Sequence, residues 1–325
     1  MMSKDIVIQV TGLTKSYGSL LAVNHINFEV ERGEIFGFLG PNGAGKTTTQ
    51  RILTGVIPPT SGKASVLGYD IKTEAFYAKS QIGVVPEMAN VYIDLSAWDN
   101  LMLIGSLYGV PRREKIKKAE ELLNAFDLYG RKDEKTKGFS KGMKQRLLLC
   151  MGLIHNPLLL FLDEPTSGLD VVSSRLIKEM ISKFNKEGVT IFLTTHNIRE
   201  ADELCSRIAI IDHGMIAVID KPGNLKKEFQ SVQVIEVAFN APAKEEDLKE
   251  MVYVNKLQKA GDKFKLYTDN PEKLIVKLLD FSQGKNLKIV SLNTLGPDLE
   301  EVFVKITEEH KGWDYEKKKP DFKSD

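Results

Sequence analysis

Cysteine is almost missing from this chain: among its 325 residues only Cys150 and Cys205 occur, both in helix-like apolar surroundings. That excludes a disulfide-stapled scaffold and predicts free buried thiols in a reducing cytoplasm. Long apolar runs are missing as well. The longest candidate, Leu147 to Ile154 with Gly152 inside it, falls well short of the about 20 residues that cross a bilayer, so the chain is expected not to span a membrane by itself. The opening residues, Met1-Met2-Ser3-Lys4-Asp5, run into the alternating Ile6-Val7-Ile8-Gln9-Val10 and lack a signal peptide's apolar core and cleavage site. Neither sign of charge dominates. With 45 basic and 44 acidic residues the net charge is +1, which gives no general electrostatic case for nucleic acid, and no nucleic-acid partner is expected. What remains is 42% hydrophobic and 27% charged, an ordinary globular composition with core enough for roughly two domains.

The most informative stretch is Gly40-Pro41-Asn42-Gly43-Ala44-Gly45-Lys46-Thr47-Thr48, which follows the apolar run Ile35 to Leu39 and fits the pattern G-x-x-x-x-G-K-[ST] between a strand and a helix. A triphosphate is densely charged, so backbone N–H groups must approach it closely, and Gly40, Gly43 and Gly45 remove the side chains that would hold them off. The helix opening at Gly45 and Lys46 runs to about Leu53, with Gly55 marking its end, and its amino terminus favours anions. Lys46 is expected to reach the β- and γ-phosphates, and the Thr47 hydroxyl to ligate Mg²⁺.

Along the chain, Val7 to Val10 and Ala22 to Val30 read as strands of an antiparallel edge sheet turning at Ser16-Tyr17-Gly18. Pro58-Pro59-Thr60-Ser61-Gly62 breaks the chain before a short strand, Ala64 to Leu67. Trp98 to Leu128 reads as helical, with Ile116, Ala119, Leu122, Leu123 and Phe126 on one face. Leu158 to Leu162 and Val189 to Leu193 have the form of strands buried on both faces, and between them Leu176, Ile177, Met180, Ile181 and Phe184 make an amphipathic helix ending at Gly188. The pattern changes near Lys221-Pro222-Gly223-Asn224. Beyond it the expected order is strand Val232 to Phe239, helix Glu245 to Val252, strands Val254 to Lys259 and Phe264 to Thr268, helix Glu272 to Asp280, strand Leu287 to Leu292 and helix Leu299 to Ile306. The first six of these give β-α-β-β-α-β, a small ferredoxin-like α+β domain. The domains are therefore 1–222, 223–309 and a solvated lysine-rich tail, 310–325.

A second set of residues completes a site. Leu158-Leu159-Leu160-Phe161-Leu162-Asp163-Glu164 ends a buried strand with two carboxylates, where α/β sheets place ligands. Alternation along the strand separates their tasks: Asp163 holds Mg²⁺ with Thr47, and Glu164 polarises the water attacking the γ-phosphate. In Phe139-Ser140-Lys141-Gly142-Met143-Lys144-Gln145-Arg146, Ser140 stands at an N-cap position before an apolar helix, a weak signal taken alone.

Together these residues resemble the ATP-binding subunits of ABC transporters. Gly40 to Thr47 looks like Walker A, Leu158 to Glu164 like Walker B, Phe139 to Gln145 like the signature, Ser167-Gly168-Leu169-Asp170 like the D-loop, and Thr195-His196 like the H-loop. The resemblance covers about residues 5 to 220. It implies a P-loop NTPase α/β fold with a mixed sheet, an antiparallel edge subdomain and a helical subdomain. It also implies a Mg²⁺-dependent ATPase whose two copies face head to tail. Tyr17 would then stack on adenine, His196 would contact the γ-phosphate, Ser140 and Gly142 would cover ATP on the other copy, and Asp170 would cross the interface. The other implied partner is a separate membrane permease, with the chain peripheral on the cytoplasmic face and Tyr92, Trp98 and Tyr108 as sockets for a short helix of that partner. Two positions depart from the family pattern. Glu87 stands where a glutamine that contacts Mg²⁺ is usual, and the signature reads Phe-Ser-Lys-Gly-Met, with Lys141 either adding charge near the phosphates or pointing to solvent. Both departures, with Pro297-Asp298-Leu299-Glu300-Glu301-Val302-Phe303, resemble the prokaryotic branch that serves exporters of drugs, sodium or other small molecules. A soluble ABC ATPase acting on ribosomes or DNA is the rival reading, set back by the single phosphate loop and the lack of a long heptad run. A kinase or GTPase leaves Ser140, Asp170 and His196 without a task.

Overall fold

The computed structural model describes residues 5–88, 90–228, 233–295 and 299–310. Period-two alternation at the start becomes a hairpin: β1 (Ile6–Tyr17) pairs antiparallel with β2 (Leu20–Glu31), and Gly18 takes the turn with φ 58°. β3 (Ile35–Leu39) is buried at every position and leads through the phosphate loop into α1 (Lys46–Leu53). β4 (Ser61–Val66) and β5 (Tyr69–Asp70) extend the edge sheet to the order β2-β1-β4-β5, and α2 (Ala75–Lys79) and β6 (Ile82–Val85) come next.

The segment expected to be one helical stretch is two helices, α3 (Ala97–Leu107) and α4 (Arg112–Ala125). Gly109, at φ 70°, ends the first, and Pro111 opens the second as its N-cap. Ala119, Leu122, Leu123 and Phe126 are buried, as their shared face demands. α5 (Lys141–Leu153) completes the helical part, and β7 (Leu159–Asp163), α6 (Val171–Lys186) and β8 (Thr190–Thr195) form the strand-helix-strand unit. α7 (Ile198–Leu204), β9 (Arg207–Asp212) and β10 (Met215–Asp220) close this unit and were not singled out from the sequence.

The six-stranded sheet runs β10-β9-β3-β8-β7-β6, parallel from β9 to β6, with β10 antiparallel at its edge. It is the mixed sheet that the family resemblance implies. Its aromatic core joins the edge sheet to the main one: Phe28 of β2 stacks on Phe36 of β3 at 5.6 Å between centroids, and Phe161 of β7 meets Phe192 of β8 at 5.4 Å. Fully burying a side chain of this size contributes about 1.5–3 kcal/mol. Register then sets where the strands stop. Leu39 lies opposite Thr195, and Asp163 opposite Thr194, so the carboxyl ends of β3, β7 and β8 finish at one level.

The chain folds as two compact units, Met1–Asp220 and Lys221–Asp325. In the second, the stretch Lys221-Pro222-Gly223-Asn224, where the sequence pattern changes, leads into a helix, α8 (Pro222–Glu228). Pro222 sits in the first turn, where its missing N–H costs nothing. Then come β11 (Gln233–Phe239), α9 (Glu245–Lys249), β12 (Lys256–Ala260), β13 (Lys263–Thr268), α10 (Pro271–Gly284), β14 (Ile289–Leu295) and α11 (Leu299–His310). Sheet order β12-β13-β11-β14 with every pair antiparallel is the ferredoxin-like arrangement, over a core of Ile235, Val237, Leu248, Phe264, Leu266, Leu274 and Leu278. Pro297 and Asp298, and the tail from residue 311, lie outside the described residues.

Cys150 and Cys205 are both free and buried, and burial pushes both thiols up. The thiolate is the reactive form. Neither thiol is expected to react with a chromogenic disulfide reagent at pH 8 in the folded chain, and both react in urea. Rapid native labelling of either would contradict this burial.

Candidate functional site

β3 delivers the phosphate loop, whose conformation favours glycine at three places. Gly43 has φ 82° and Gly45 φ 104°. A Cβ at Gly40 would run into the Ile211 carbonyl, and one at Gly45 would lie 2.5 Å from the Ala22 carbonyl oxygen. The loop is braced from behind, because Gly214 N–H donates to the Ala44 carbonyl at 3.0 Å and Asn24 N–H to the Gly214 carbonyl at 2.8 Å. Lys46 is buried, and its ammonium donates to the Gly40 carbonyl at 2.7 Å and the Pro41 carbonyl at 3.1 Å.

The shared level of β3, β7 and β8 brings the other groups to the loop. Gly40 N–H donates to the Thr195 carbonyl at 3.2 Å, and Glu164 N–H to the Thr194 carbonyl at 3.0 Å. Thr47 Oγ1 is 3.4 Å from Asp163 Oδ1, which also accepts from the Thr194 hydroxyl. Glu164 faces elsewhere, as expected for the next residue. One of its oxygens lies 3.4 Å from Lys46 Nζ, and the other 2.8 Å from His196 Nδ1 and 3.4 Å from Thr195 Oγ1. Glu164 itself has φ 49°, so the chain is turned sharply to aim this carboxylate.

Tyr17, Asn42, Gly43, Gly45, Lys46, Thr47, Thr48, Glu87 and Glu164, with Leu20 and Ala22, line one cleft of about 280 Å³. His196 joins it through Glu164. Ser140, Gly142 and Asp170 do not line it. Ser140 caps α5, accepting from Met143 N–H at 3.2 Å, and Asp170 caps α6, accepting from Ser173 N–H at 2.8 Å. The backbone and hydroxyl of Ser173 hold the Asp170 carboxyl below its ordinary range. A Cβ at Gly142 would strike Ser173, and Lys141 reaches over Gly168, so the signature and D-loop residues form a second cluster on the same chain.

The residues fit a magnesium nucleotide. The loop leaves no room for a Cβ at Gly40 or Gly45, Lys46 supplies a buried cation, and Thr47 with Asp163 offers the hard oxygen donors that Mg²⁺ takes. Among the described residues no cluster of three or more His, Cys, Asp or Glu could hold a metal alone.

The sequence pattern did not single out Glu200. It is buried on α7, accepts a hydrogen bond from Thr166 Oγ1 at 2.7 Å, and burial pushes its carboxyl up. Nor did it mark Thr194, whose hydroxyl donates to Asp163, or give Thr195, named only as part of the H-loop, its contact to Glu164 at 3.4 Å. The available signal was a pair of hydroxyls ending an apolar strand beside His196.

Residues 23–167 match the family model described as "ABC transporter". The chain is similar to "Nod factor export ATP-binding protein I" of Sinorhizobium fredii, with 36% identity across 93% of this chain and 86% of that protein. It is similar also to "Linearmycin resistance ATP-binding protein LnrL" of Bacillus subtilis, with 34% identity across 93% of this chain and 98% of that one. Among solved structures, an ATP-binding subunit of an ABC transporter superposes with TM-score 0.64 at 28% identity, covering 69% of this chain and 93% of that one. A dimeric ATP-binding cassette in a post-hydrolysis state with ADP and Pi superposes with TM-score 0.61 at 26% identity, covering 66% and 98%.

Proposed function

The chain belongs to the family of ABC transporter ATP-binding proteins, and from that premise we propose that it is the Mg²⁺-dependent ATPase subunit of an exporter, driving a separate membrane permease. The observation that carries the reading is the convergence of Lys46, Thr47, Asp163, Glu164 and His196 at the level carboxyl ends of β3, β7 and β8. Lys46 and the loop N–H groups hold the triphosphate. Thr47 and Asp163 would hold Mg²⁺, with Glu87 on the same cleft, and the ion would compensate the negative charge of the phosphates when bound. Glu164 takes a proton from the attacking water, and His196 orients Glu164 and contacts the γ-phosphate.

Ser140, Gly142 and Asp170 lie apart from the cleft of their own chain, which supports their acting on the nucleotide of a second copy. ATP then becomes part of the contact between subunits, so binding closes the pair and hydrolysis loosens it. The export reading is supported by the names of the similar proteins. Among the described residues no helix is long and apolar enough to cross a membrane, in keeping with a subunit held at the cytoplasmic face through its permease. The exposed Met88, Tyr92 and Ile93 beside Glu87 suit that contact. We assign residues 1–222 to the ATP-binding domain and 223–309 to an accessory domain.

Mixing two inactive variants tests this. Lys46→Ala and Ser140→Arg chains should each lack ATPase activity, while their mixture recovers up to about a quarter of the parent rate. Half of a random mixture is heterodimer, with one intact composite site of two. A mixture as inactive as its parts would refute the shared site, and a parent chain that hydrolyses no MgATP, alone or with its permease, would refute the ATPase reading.

A further inference from the structure

Lys15 and Tyr17 stand two residues apart near the end of β1, so their side chains leave one face of the strand. The Lys15 ammonium lies over the Tyr17 ring, 5.2 Å from its centroid. It is held there independently, donating to the Pro58 carbonyl at 2.7 Å. Pro58 belongs to the segment after the phosphate-loop helix. Two more bonds tie the same pieces together, Thr60 N–H to the Thr14 carbonyl at 2.8 Å and Ser16 N–H to Thr60 Oγ1 at 3.0 Å. Tyr17 lines the phosphate-loop cleft, whereas Lys15 does not. Tyr17 is 47% exposed, and among the described residues no other ring stacks on it. An exposed tyrosine at a strand end would otherwise sample several rotamers, and ordering it would weaken any stack it makes.

We propose that Lys15 is a positioning residue for the nucleotide base. Its cation occupies one face of the Tyr17 ring, leaving the cleft-side face as the platform on which a purine stacks. The inference rests on Tyr17 being that platform. Because Lys15 is anchored to the segment after α1, it also fixes the ring relative to the loop that holds the phosphates, and so sets the distance between base and triphosphate.

The test is calorimetric titration of the full-length chain with a non-hydrolysable ATP analogue and, in parallel, with inorganic tripolyphosphate, which has the phosphates and no base. Lys15→Met should weaken the ATP analogue about two- to five-fold, the size of an exposed cation–π contact. Its affinity for tripolyphosphate should not change, which also reports that the loop is folded. Lys15→Arg should restore binding to within about two-fold, since a guanidinium keeps both the charge and a donor. Tyr17→Ala should weaken the analogue by at least about five-fold, as expected of a lost base–aromatic stack. On that background Lys15→Met should cost nothing further, the signature of one residue acting through another. Equal loss for analogue and tripolyphosphate, or a full extra loss in the double variant, would overturn the proposal. So would unchanged binding by Lys15→Met beside a weakened Tyr17→Ala, an outcome that leaves the Tyr17 platform standing. If neither variant weakens the analogue, the platform reading fails as well.

Discussion

Glu164→Gln is expected to lower the ATPase turnover by at least about 100-fold while leaving MgATP affinity equal or higher. A general base contributes about 10²- to 10⁴-fold to rate, or roughly 3–5 kcal/mol of barrier. The amide is nearly isosteric, so the contacts to His196 at 2.8 Å and Thr195 at 3.4 Å have a partner of the same shape, and the sharp turn at φ 49° stays as it is. What is lost is the ability to take a proton. What is also lost is a negative charge beside Lys46, 3.4 Å away, so more of that lysine's field falls on the γ-phosphate. Binding without turnover should let ATP-bound dimers accumulate, visible as an ATP-dependent shift to double mass in light scattering. A variant that turns over at the parent rate would remove Glu164 from the base role, and one that lost ATP binding would give the residue a structural task instead.

The site was legible in the sequence wherever chemistry and backbone geometry coincide. Gly40 to Thr47 combines residues that only a phosphate site needs at that spacing, and Asp163-Glu164 closes a strand whose every residue is apolar. The level at which these pieces meet depends on sheet register, which no local pattern carries. The strand readings match best for β3, residues 35–39, and come within two residues for β7 and β8, because strands buried on both faces read as apolar runs. None covers β9 and β10, residues 207–212 and 215–220, of which only β10 lies at the sheet edge, and the turn between them braces Ala44. Glycines inside elements also hid their reasons. Gly37 in β3 leaves room for Cys205 Sγ, 2.6 Å from where a Cβ would stand, and Gly152 of α5 and Gly83 of β6 approach each other closely. Tyr108, a candidate socket for a partner, stacks on His155 at 3.7 Å between centroids, while Trp98 lies under the Lys132 ammonium at 5.2 Å. Both aromatics are thus engaged within the helical part itself, although Tyr108 remains 41% exposed.

Gly45→Ala should abolish nucleotide-dependent activity, by about 100-fold or more, and lower stability by about 2 kcal/mol or more. Two penalties coincide at this residue. Its φ of 104° lies where a Cβ is strained, a cost of order 1–3 kcal/mol. The added carbon would also press on the Ala22 carbonyl oxygen at 2.5 Å, and that backbone cannot yield easily. Ala22 belongs to β2, paired with β1, and the adjoining Asn24 is bonded to Gly214, which itself supports Ala44. The loop must therefore give instead, carrying Lys46 and Thr47 off their positions, and a displacement near 1 Å suffices to cost about 10² in rate. Gly43→Ala isolates the first penalty from the second. Its φ is also positive, at 82°, but nothing lies within 4 Å of the added Cβ. That variant should lose only about 1–2 kcal/mol of stability and keep measurable ATP binding. Thermal melts with and without MgATP separate the two cases: the Gly43→Ala chain is still stabilised by nucleotide and the Gly45→Ala chain is not. Equal behaviour of the pair would mean that the brace between β2, the β9–β10 turn and the phosphate loop does not hold the loop in place.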